Sequence, residues 1–205
     1  MALKVLQIKN HESYPWILQK HYAKRIPSII HSFGLYENKE LIGVVTYGIP
    51  ASYTLCEGVC GKENKHMVLE LNRLCLLNNN KNEASYLISH SLKLLPKPSI
   101  VVSYADIDMG HIGYVYQATN FLFTGTTKER TDMASTDNRH HRHATDTSVR
   151  QKRSSKNRYV YLVGKKQDKK RLHSLLNYSV LPYPKGDVKM YDSGGLVETQ
   201  GLLFD

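Results

Sequence analysis

Hydrophobic and polar positions follow two different periods along the first 125 residues. Residues 3–8 switch between polar and apolar side chains as in a half-buried strand, and the apolar positions of 14–25 recur at helical spacing. The same patterns predict later elements, namely strands at 31–36, 41–49, 67–77, 100–105 and 121–125 and helices at 83–95 and 110–119. An early hairpin followed by strand, helix, strand, helix and strand predicts an α/β domain with crossover connections.

The rest of the chain has weaker patterns. Residues 51–65 contain two glycines and are predicted to form a loop, and 131–155 is polar enough to be flexible or ordered only by a substrate. A strand is predicted at 158–163 and a short helix at 169–176. We therefore expect three parts: a core domain at 1–127, a basic flexible insertion at 128–157, and a region at 158–205 that completes or flanks the core.

Length and composition exclude several classes of protein. The 205 residues are 41% hydrophobic and 22% charged, which is typical of a folded globular protein. The longest apolar stretch, 41–50, is far shorter than the roughly 20 residues that cross a bilayer, and 1–11 lacks the apolar segment of a signal peptide. We expect an intracellular, cytoplasmic protein without a membrane partner, whose Cys56, Cys60 and Cys75 are reduced thiols.

Positive charge is concentrated in one part of the chain. Of the net charge of +10, the segment 128–173 carries +9, because it holds 14 lysines and arginines but five acids. Such a concentration favours contact with a polyanion such as nucleic acid, although a solvated basic loop is the alternative. The run of arginines and histidines at 139–143 fits the same loop better than a metal site. The candidate nucleic-acid contacts are Arg139, Arg142, Arg150, Lys152, Arg153, Lys156 and Arg158.

The segment from Glu70 to Phe121 carries the most specific motifs. Tyr116 lies five residues before Phe121 at the end of a predicted short helix. This arrangement resembles the last helix of the GNAT acyltransferase superfamily, in which a tyrosine at that position lies near the thiol of coenzyme A and acts as a general acid. The resemblance implies a central mixed sheet flanked by helices, here with a basic C-terminal extension.

A closer resemblance is to the phage Mom proteins, divergent GNAT-like enzymes that modify adenines in DNA. It covers roughly residues 16–127 and rests on several strings in one order: HYAKR at 21–25, ELNRL at 70–74, NEAS at 82–85, SYAD at 103–106 and GHIGYVYQATNF at 110–121. It implies conversion of the adenine N6 amine in double-stranded DNA to a methylcarbamoylated form, with protection of phage DNA from restriction. An acetyl-CoA-derived group and a bound iron are the implied cofactors.

Catalytic roles can be assigned to residues within these strings. Tyr116 can protonate a leaving thiolate or bind a metal as phenolate, and its structural alternative is packing on the sheet. Asp106, at the end of a buried strand, can ligate a metal, act as base toward the adenine amine, or cap the following helix. His21 with Asp106 is the preferred metal pair, and Tyr22 is expected to form a wall of the site.

Arg73 lies inside an otherwise apolar strand, where an unpaired charge would be costly. It is expected to contribute to catalysis and to pair with Glu70, Asp106 or a cofactor phosphate.

The predicted helix that begins at Glu83 suits an anionic pyrophosphate, because the first turn of a helix has free backbone N–H groups. The preceding turn, 78–82, holds four asparagines and no glycine, whereas ordinary GNAT enzymes have a glycine-rich loop there. Asparagine tolerates left-handed backbone angles, so a similar loop can form. The candidate cofactor-binding residues are Leu76, Lys81, Asn82, Glu83, Ala84, Ser85 and Asn120.

Two other functions remain open from the sequence. One is an ordinary N-acetyltransferase of a protein or small amine, and the other is a nucleic-acid-binding protein that has a GNAT-like scaffold but no catalysis.

Overall fold

The computed structural model describes residues 2–133 and 150–186 of the chain. The strands within these residues are β1 (Leu3–Ile8), β2 (His31–Glu37), β3 (Glu40–Gly48), β4 (Val68–Leu76), β5 (Ser99–Asp106), β6 (Leu122–Thr126), β7 (Arg130–Met133), β8 (Arg150–Arg153) and β9 (Lys156–Val163). The helices are α1 (Tyr14–Lys20), α2 (Tyr53–Cys60), α3 (Glu83–Leu94), α4 (Tyr114–Ala118) and α5 (Lys166–Ser174).

Seven strands form one mixed sheet in the order β1-β2-β3-β4-β5-β9-β6. Neighbouring strands are antiparallel except β4 and β5, which are parallel and joined by α3. A parallel pair needs such a crossover because its strands start at the same end of the sheet. The predicted α/β class with a mixed sheet and flanking helices is confirmed.

Each face of the sheet carries its own apolar cluster. On one face, α3 contributes Leu87 to a cluster that includes Val101 of β5, and α4 packs against it. On the other face, α2 and α5 contribute Val59 and Leu172 to a cluster that includes Val102. Val101 and Val102 are both fully buried, which confirms the prediction of a strand covered on both faces.

The parallel strands β4 and β5 separate toward their carboxyl ends. Backbone pairing between them begins with Val68 opposite Ile100 and ends with Glu70 opposite Val102, although both strands continue further. Beyond that point the Ser103 hydroxyl donates a hydrogen bond across to the Leu71 carbonyl at 3.1 Å. The sheet therefore has an opening at this end, called here the β4–β5 gap.

The prediction of a loop over 51–65 is wrong, because α2 occupies Tyr53–Cys60. Its buried side chains recur at helical spacing: Cys56, Val59 and Cys60. Gly58 lies inside this helix because the Tyr178 hydroxyl is 2.7 Å from the position of a Cβ at that residue. The glycine that suggested a loop is therefore a packing requirement.

Other boundaries also differ from the predictions. The first helix ends at Lys20 rather than at residue 25, and the helix predicted at 110–119 is confined to Tyr114–Ala118. The described ends of 131–155 form a separate two-stranded antiparallel sheet, β7–β8. Residues 134–149 and 187–205 lie outside the described part of the chain.

The three cysteines are free and buried. Burial raises the pKa of all three thiols, so each stays protonated near neutral pH. In the part of the chain that the structure describes, no helix is both long and apolar enough to cross a membrane.

Candidate active site

Tyr116 is held beside the β4–β5 gap by α4. Its ring lies 5.3 Å from those of Phe121 and Tyr159, measured between centroids, and it is half-buried. Burial raises the pKa of Tyr116 to about 12, although a side-chain hydrogen bond with Ser103 acts in the opposite direction. The phenol is therefore protonated at neutral pH and can act as a proton donor.

The start of α4 depends on a glycine. Gly113 has a φ of 84°, and a Cβ there would lie 2.3 Å from the Tyr159 ring. The Tyr159 hydroxyl in turn donates to the carbonyl of Ile112. This close packing of α4 against β9 fixes the direction from which Tyr116 approaches the gap.

Glu70 is the second ionisable group at the gap, where its backbone makes the last pairing between β4 and β5. Burial raises the pKa of the half-buried Glu70 to about 7, and the charges of Arg73 and Lys156 oppose that rise. Glu70 also raises the pKa of Tyr116, which places the carboxylate within electrostatic reach of the phenol. From the sequence, Glu70 is expected only as a partner for Arg73. A carboxylate within a mostly apolar strand is the signal that could have identified it.

The Glu70 side chain lies on the α2 face of the sheet. Its charge raises the pKa of Cys56 of α2 and of Tyr104 of β5. Both of these side chains belong to the apolar cluster on the α2 face or pack against it. Tyr116 reaches the gap from the α3 and α4 face. The two groups therefore approach the same opening from opposite sides of the sheet.

His21 and Tyr22 lie just beyond the end of α1, and their rings stack at 4.4 Å between centroids. Tyr22 is 45% exposed, whereas His21 is buried. Burial, together with the charges of Arg73 and His111, lowers the pKa of His21 to about 3, so its imidazole is neutral. The charge of Tyr22 raises the pKa of Tyr116, so this pair lies close to the gap.

Arg73 forms no salt bridge with Glu70 or Asp106, although the charge of Glu70 acts to raise its pKa. The third partner expected from the sequence, a cofactor phosphate, stays a prediction. The Nε and Nη2 atoms of Arg73 donate to the Arg25 carbonyl at 3.3 and 3.0 Å, and its Nη1 donates to the Asn72 carbonyl at 2.6 Å. Asn72 adds a hydrogen bond from its Nδ2 to the Ser28 carbonyl at 2.8 Å. These two β4 side chains fasten the segment 21–30, which carries His21 and Tyr22, to the sheet.

Asp106 is engaged by its neighbours rather than open to a substrate or metal. Its carboxylate accepts hydrogen bonds from the Ser154 hydroxyl and the Asp108 amide and forms a salt bridge with Lys156. Burial favours the neutral acid, but these hydrogen bonds and the Lys156 charge prevail and hold the pKa of Asp106 below its usual value. A carboxylate that is stably ionised in this way is a weak base.

The proposed metal pair of His21 and Asp106 does not fit a metal ion in this arrangement. The Nδ1 atom of His21 accepts a hydrogen bond from the Ala23 amide at 3.0 Å, so the neutral ring carries its proton on Nε2. Asp106 is engaged as described above. No cluster of three or more His, Cys, Asp or Glu side chains suited to a metal occurs among the described residues.

The turn before α3 is shaped by side-chain hydrogen bonds. Glu83, itself buried, accepts from the Asn80 amide at 2.9 Å and from the Asn80 side chain at 2.8 Å. Asn79 and Asn82 adopt positive φ values of 48° and 70°. The expectation that asparagines replace glycine in a left-handed turn is confirmed. Glu83 holds the turn in shape through these bonds, and its predicted contact with a cofactor stays a prediction.

A cavity of about 430 Å³ lies between α3 and the end of α4. Its lining includes three of the predicted cofactor-binding residues: Asn82, Ser85 and Asn120. Ala84 packs beside the core cluster, Leu76 is buried within it, and Lys81 is exposed in the preceding turn. Asn120 and Tyr161 also line a second cavity of about 370 Å³ with Lys169, Lys170 and His173.

The predicted nucleic-acid contacts fall into three groups. Arg150, Lys152 and Arg153 lie on β8 of the separate hairpin. Lys156 and Arg158 belong to β9 of the main sheet, where Lys156 bonds to Asp106 and Arg158 bonds to Thr124 and stacks on Tyr178. These two cations are held within the fold rather than presented to a ligand. Arg139 and Arg142 lie outside the described residues.

Comparison with known proteins gives a family match over most of the chain. The model of the Mom protein family matches residues 2–185. The methylcarbamoylase mom of Escherichia phage Mu is 33% identical over 117 residues, which cover 54% of this chain and 48% of that protein. The chain thus spans about half the length of the curated relative it matches.

Several solved structures resemble this chain in fold. A "probable acetyltransferase" from Staphylococcus epidermidis has a TM-score of 0.51 at 12% identity and covers 80% of this chain and 100% of its own. NAA60 from Arabidopsis thaliana, solved in complex with acetyl-CoA, has a TM-score of 0.51 at 13% identity. The match covers 79% of this chain and 99% of the NAA60 chain. At these identities the likeness extends to the fold, which is that of the GNAT acetyltransferases.

Proposed function

Because this chain belongs to the Mom protein family, we propose that it modifies the N6 amine of adenine in double-stranded DNA to a methylcarbamoylated form. An acetyl-CoA-derived group is the donor, the site of action is the cytoplasm of a bacterial host, and the modification protects phage DNA from restriction. The observation that carries the proposal is the approach of Tyr116 and Glu70 to one gap from opposite faces of the sheet.

The cavity between α3 and α4 suits the acyl carrier. Its volume of about 430 Å³ lies within the range of small-molecule sites. The first turn of α3 presents backbone N–H groups to a pyrophosphate, and Lys81 adds a positive charge. Past Glu70, β4 has no backbone pairing with β5, and the Leu71 carbonyl accepts a hydrogen bond from Ser103. The part of this edge beyond Leu71 can pair with the amide groups of the carrier. When bound, acetyl-CoA would supply an activated acyl thioester, whose C–S bond breaks as the bond to N6 forms. The second nitrogen of the methylcarbamoyl group requires an amine donor in addition to acetyl-CoA.

Tyr116 is proposed as the general acid. A phenol with a pKa of about 12 keeps its proton at neutral pH and can donate it to a leaving thiolate. Its contacts with Phe121 and Tyr159 hold the ring in place before the donor binds.

Glu70 is proposed as the general base, in place of Asp106. A carboxyl group with a pKa of about 7 is partly ionised at neutral pH and binds a proton well enough to accept one from the nucleophile. Asp106, whose pKa is lowered by Lys156 and Ser154, is instead proposed to fix the end of β5.

Tyr22 and His21 are proposed as the wall against which adenine rests. The N6 amine is stacked and paired inside a duplex, so reaching it requires extrusion of the base at a cost of a few kcal/mol. Stacking on an aromatic ring returns about 1–3 kcal/mol. The exposed Tyr22 ring, supported by His21, offers such a surface near Tyr116.

Mass spectrometry of nucleosides tests the proposal. DNA from cells that express the chain, and duplex treated with the purified chain and acetyl-CoA, should contain an adenosine of increased mass. Unmodified nucleosides accompanied by acetylated protein or amine would favour an ordinary N-acetyltransferase. Absence of both products, with DNA binding retained, would favour a non-catalytic binding protein.

A further inference from the structure

The hairpin β7–β8 forms a two-stranded ribbon separate from the main sheet. Its strands pair in register from Arg130 opposite Arg153 to Met133 opposite Arg150. At about 3.4 Å per residue, the described strands extend roughly 13 Å. The ribbon is therefore paired apart from the main sheet rather than being part of the fold's core.

The ribbon is strongly basic. Its described strands and their flanking residues 128 and 129 contain five lysines and arginines against two acids. Arg130 lies directly opposite Arg153, so both strands bring a cation to the same position of the ribbon. Lys152 pairs with Glu129 at 2.9 Å, but both side chains are more than half exposed, so the pair is weak and can be exchanged for a phosphate.

The base of the ribbon is fastened at the open end of the β4–β5 gap. Lys156, the first residue of β9, pairs with Asp106, the last residue of β5. Ser154, which follows β8, donates to the same Asp106 carboxylate. Before β7, the Thr127 amide donates a hydrogen bond of 2.9 Å to the Lys156 carbonyl, which joins the two ends of the ribbon at its base. The ribbon thus leaves the molecule at the end of the sheet where the gap opens.

We infer that the β7–β8 ribbon lies in the major groove of DNA next to the adenine being modified. The major groove, about 12 Å wide, admits a two-stranded ribbon, whereas the minor groove is about 6 Å wide. The N6 amine of adenine also lies on the major-groove edge of its base pair. A basic ribbon beside the gap therefore contacts the groove from which the target amine is reached. This inference rests on the function proposed above.

Groove-specific probes test the inference with the full chain. Affinity is measured by fluorescence anisotropy on a duplex, on the same duplex with glucosylated 5-hydroxymethylcytosine filling the major groove, and with netropsin occupying the minor groove. Glucosylation should weaken binding by about tenfold or more, and netropsin should change it by less than about threefold. Competition by netropsin without an effect of glucosylation would overturn the inference.

A matched pair of double variants tests the residues. Arg150→Gln with Lys152→Gln should weaken binding by about tenfold and reduce the slope of log affinity against log salt by about 2. The control, Lys62→Gln with Lys166→Gln, removes two exposed cations near the amino ends of β4 and β5, away from the open end of the gap. It should stay within about threefold of the original affinity. Equal losses in both double variants would mean diffuse charge attraction and would overturn the inference.

Two further measurements separate this inference from the proposed function. Acetyl-CoA binding, measured by calorimetry, checks that each variant is folded. Major-groove binding without modified adenosine would refute the proposed function and leave the ribbon's role intact. Modified adenosine, together with DNA binding that glucosylation of the major groove does not weaken, would support the proposed function and refute the ribbon's role.

Discussion

At Glu70, burial changes the chemistry of a single side chain. Its neighbours on β4, Leu69 and Leu71, both pack into the apolar cluster on the α3 face. Because successive side chains of a strand point to opposite faces, the Glu70 side chain points to the α2 face. Desolvation disfavours the carboxylate there and raises its pKa to about 7. The same carboxylate in solvent would titrate near its ordinary value and would be a poor base at neutral pH.

Replacing Glu70 with Gln should therefore affect activity and stability in opposite directions. Single-turnover modification by the unaltered chain should rise with pH through about 7, and E70Q should lose at least about a hundredfold in rate together with that dependence. The folded state binds the Glu70 proton more tightly than the unfolded chain, so this group's contribution to stability is lost as pH rises from about 4.5 to about 7.

The stability half of this prediction is measured by urea unfolding at pH 4 and pH 8. E70Q should be more stable than the original chain at pH 8, by up to roughly 3 kcal/mol, with the difference shrinking at pH 4. A variant less stable than the original at pH 8 would contradict the assigned burial.

The hydroxyl of Tyr116 is predicted to be needed for catalysis but not for folding. Tyr116→Phe removes one hydrogen bond to Ser103, which keeps its own bond to the Leu71 carbonyl, so the free energy of unfolding should change by about 1 kcal/mol or less. Modification should fall by about a hundredfold or more. The matched control is Tyr114→Phe, an exposed tyrosine in the same helix, which should retain activity. A fully active Tyr116→Phe chain would show that another group donates the proton.

At the scale of elements, the string ELNRL on β4 has two separate tasks. Glu70 faces the gap region, whereas Asn72 and Arg73 bind carbonyl groups of the segment 21–30. That segment follows a short helix and includes Lys24 at a positive φ of 40°, so it has little regular structure to hold it. Its position beside the gap therefore depends on β4.

Arg73→Lys should loosen this segment without unfolding the protein. Lysine cannot place two donors on the Arg25 carbonyl in the fixed geometry of a guanidinium group. Hydrogen exchange of the amides in 22–28 should become about tenfold faster, corresponding to the loss of about one hydrogen bond. The amides of α3 serve as an internal control and should keep their protection. Unchanged exchange in 22–28 would show that Asn72 alone is sufficient.

Helix α2 shows why one element was mispredicted. Its apolar positions have helical spacing, but Gly58 and the neighbouring Gly61 favoured a loop. Gly61 does end the helix, with a φ of 81°, as a glycine commonly does. Gly58 is required by the Tyr178 hydroxyl, a contact with a residue far along the chain that local patterns do not encode.

At the scale of the whole molecule, the sheet separates the proposed donor from the proposed base. The cavity suited to acetyl-CoA lies on the α3 face, and Glu70 lies on the α2 face. The ribbon leaves the sheet at the end where the gap opens. In the function proposed above, DNA held by the ribbon and an acyl carrier in the cavity would therefore approach the gap from different sides.

This separation predicts that both ligands bind at the same time. The affinity for CoA, measured by calorimetry, should change by less than about threefold when the chain is saturated with DNA, because neither ligand covers the other's contacts. A loss of CoA binding on addition of DNA would mean that the two share one face.

The sequence by itself determined the order of the main strands and helices, the helix that carries Tyr116, the asparagine turn before α3 and the location of the positive charge. Each depends on residues that are close in sequence, so hydrophobic period, turn chemistry and motif spacing encode them. The tertiary structure alone decided the β4–β5 gap, the raised pKa of Glu70, and the partners of Arg73 and Asp106. Arg73 bonds a carbonyl 48 residues away and Asp106 pairs with a lysine 50 residues away. Such contacts arise from the way the sheet brings distant segments together, and burial there sets the charge state of each group.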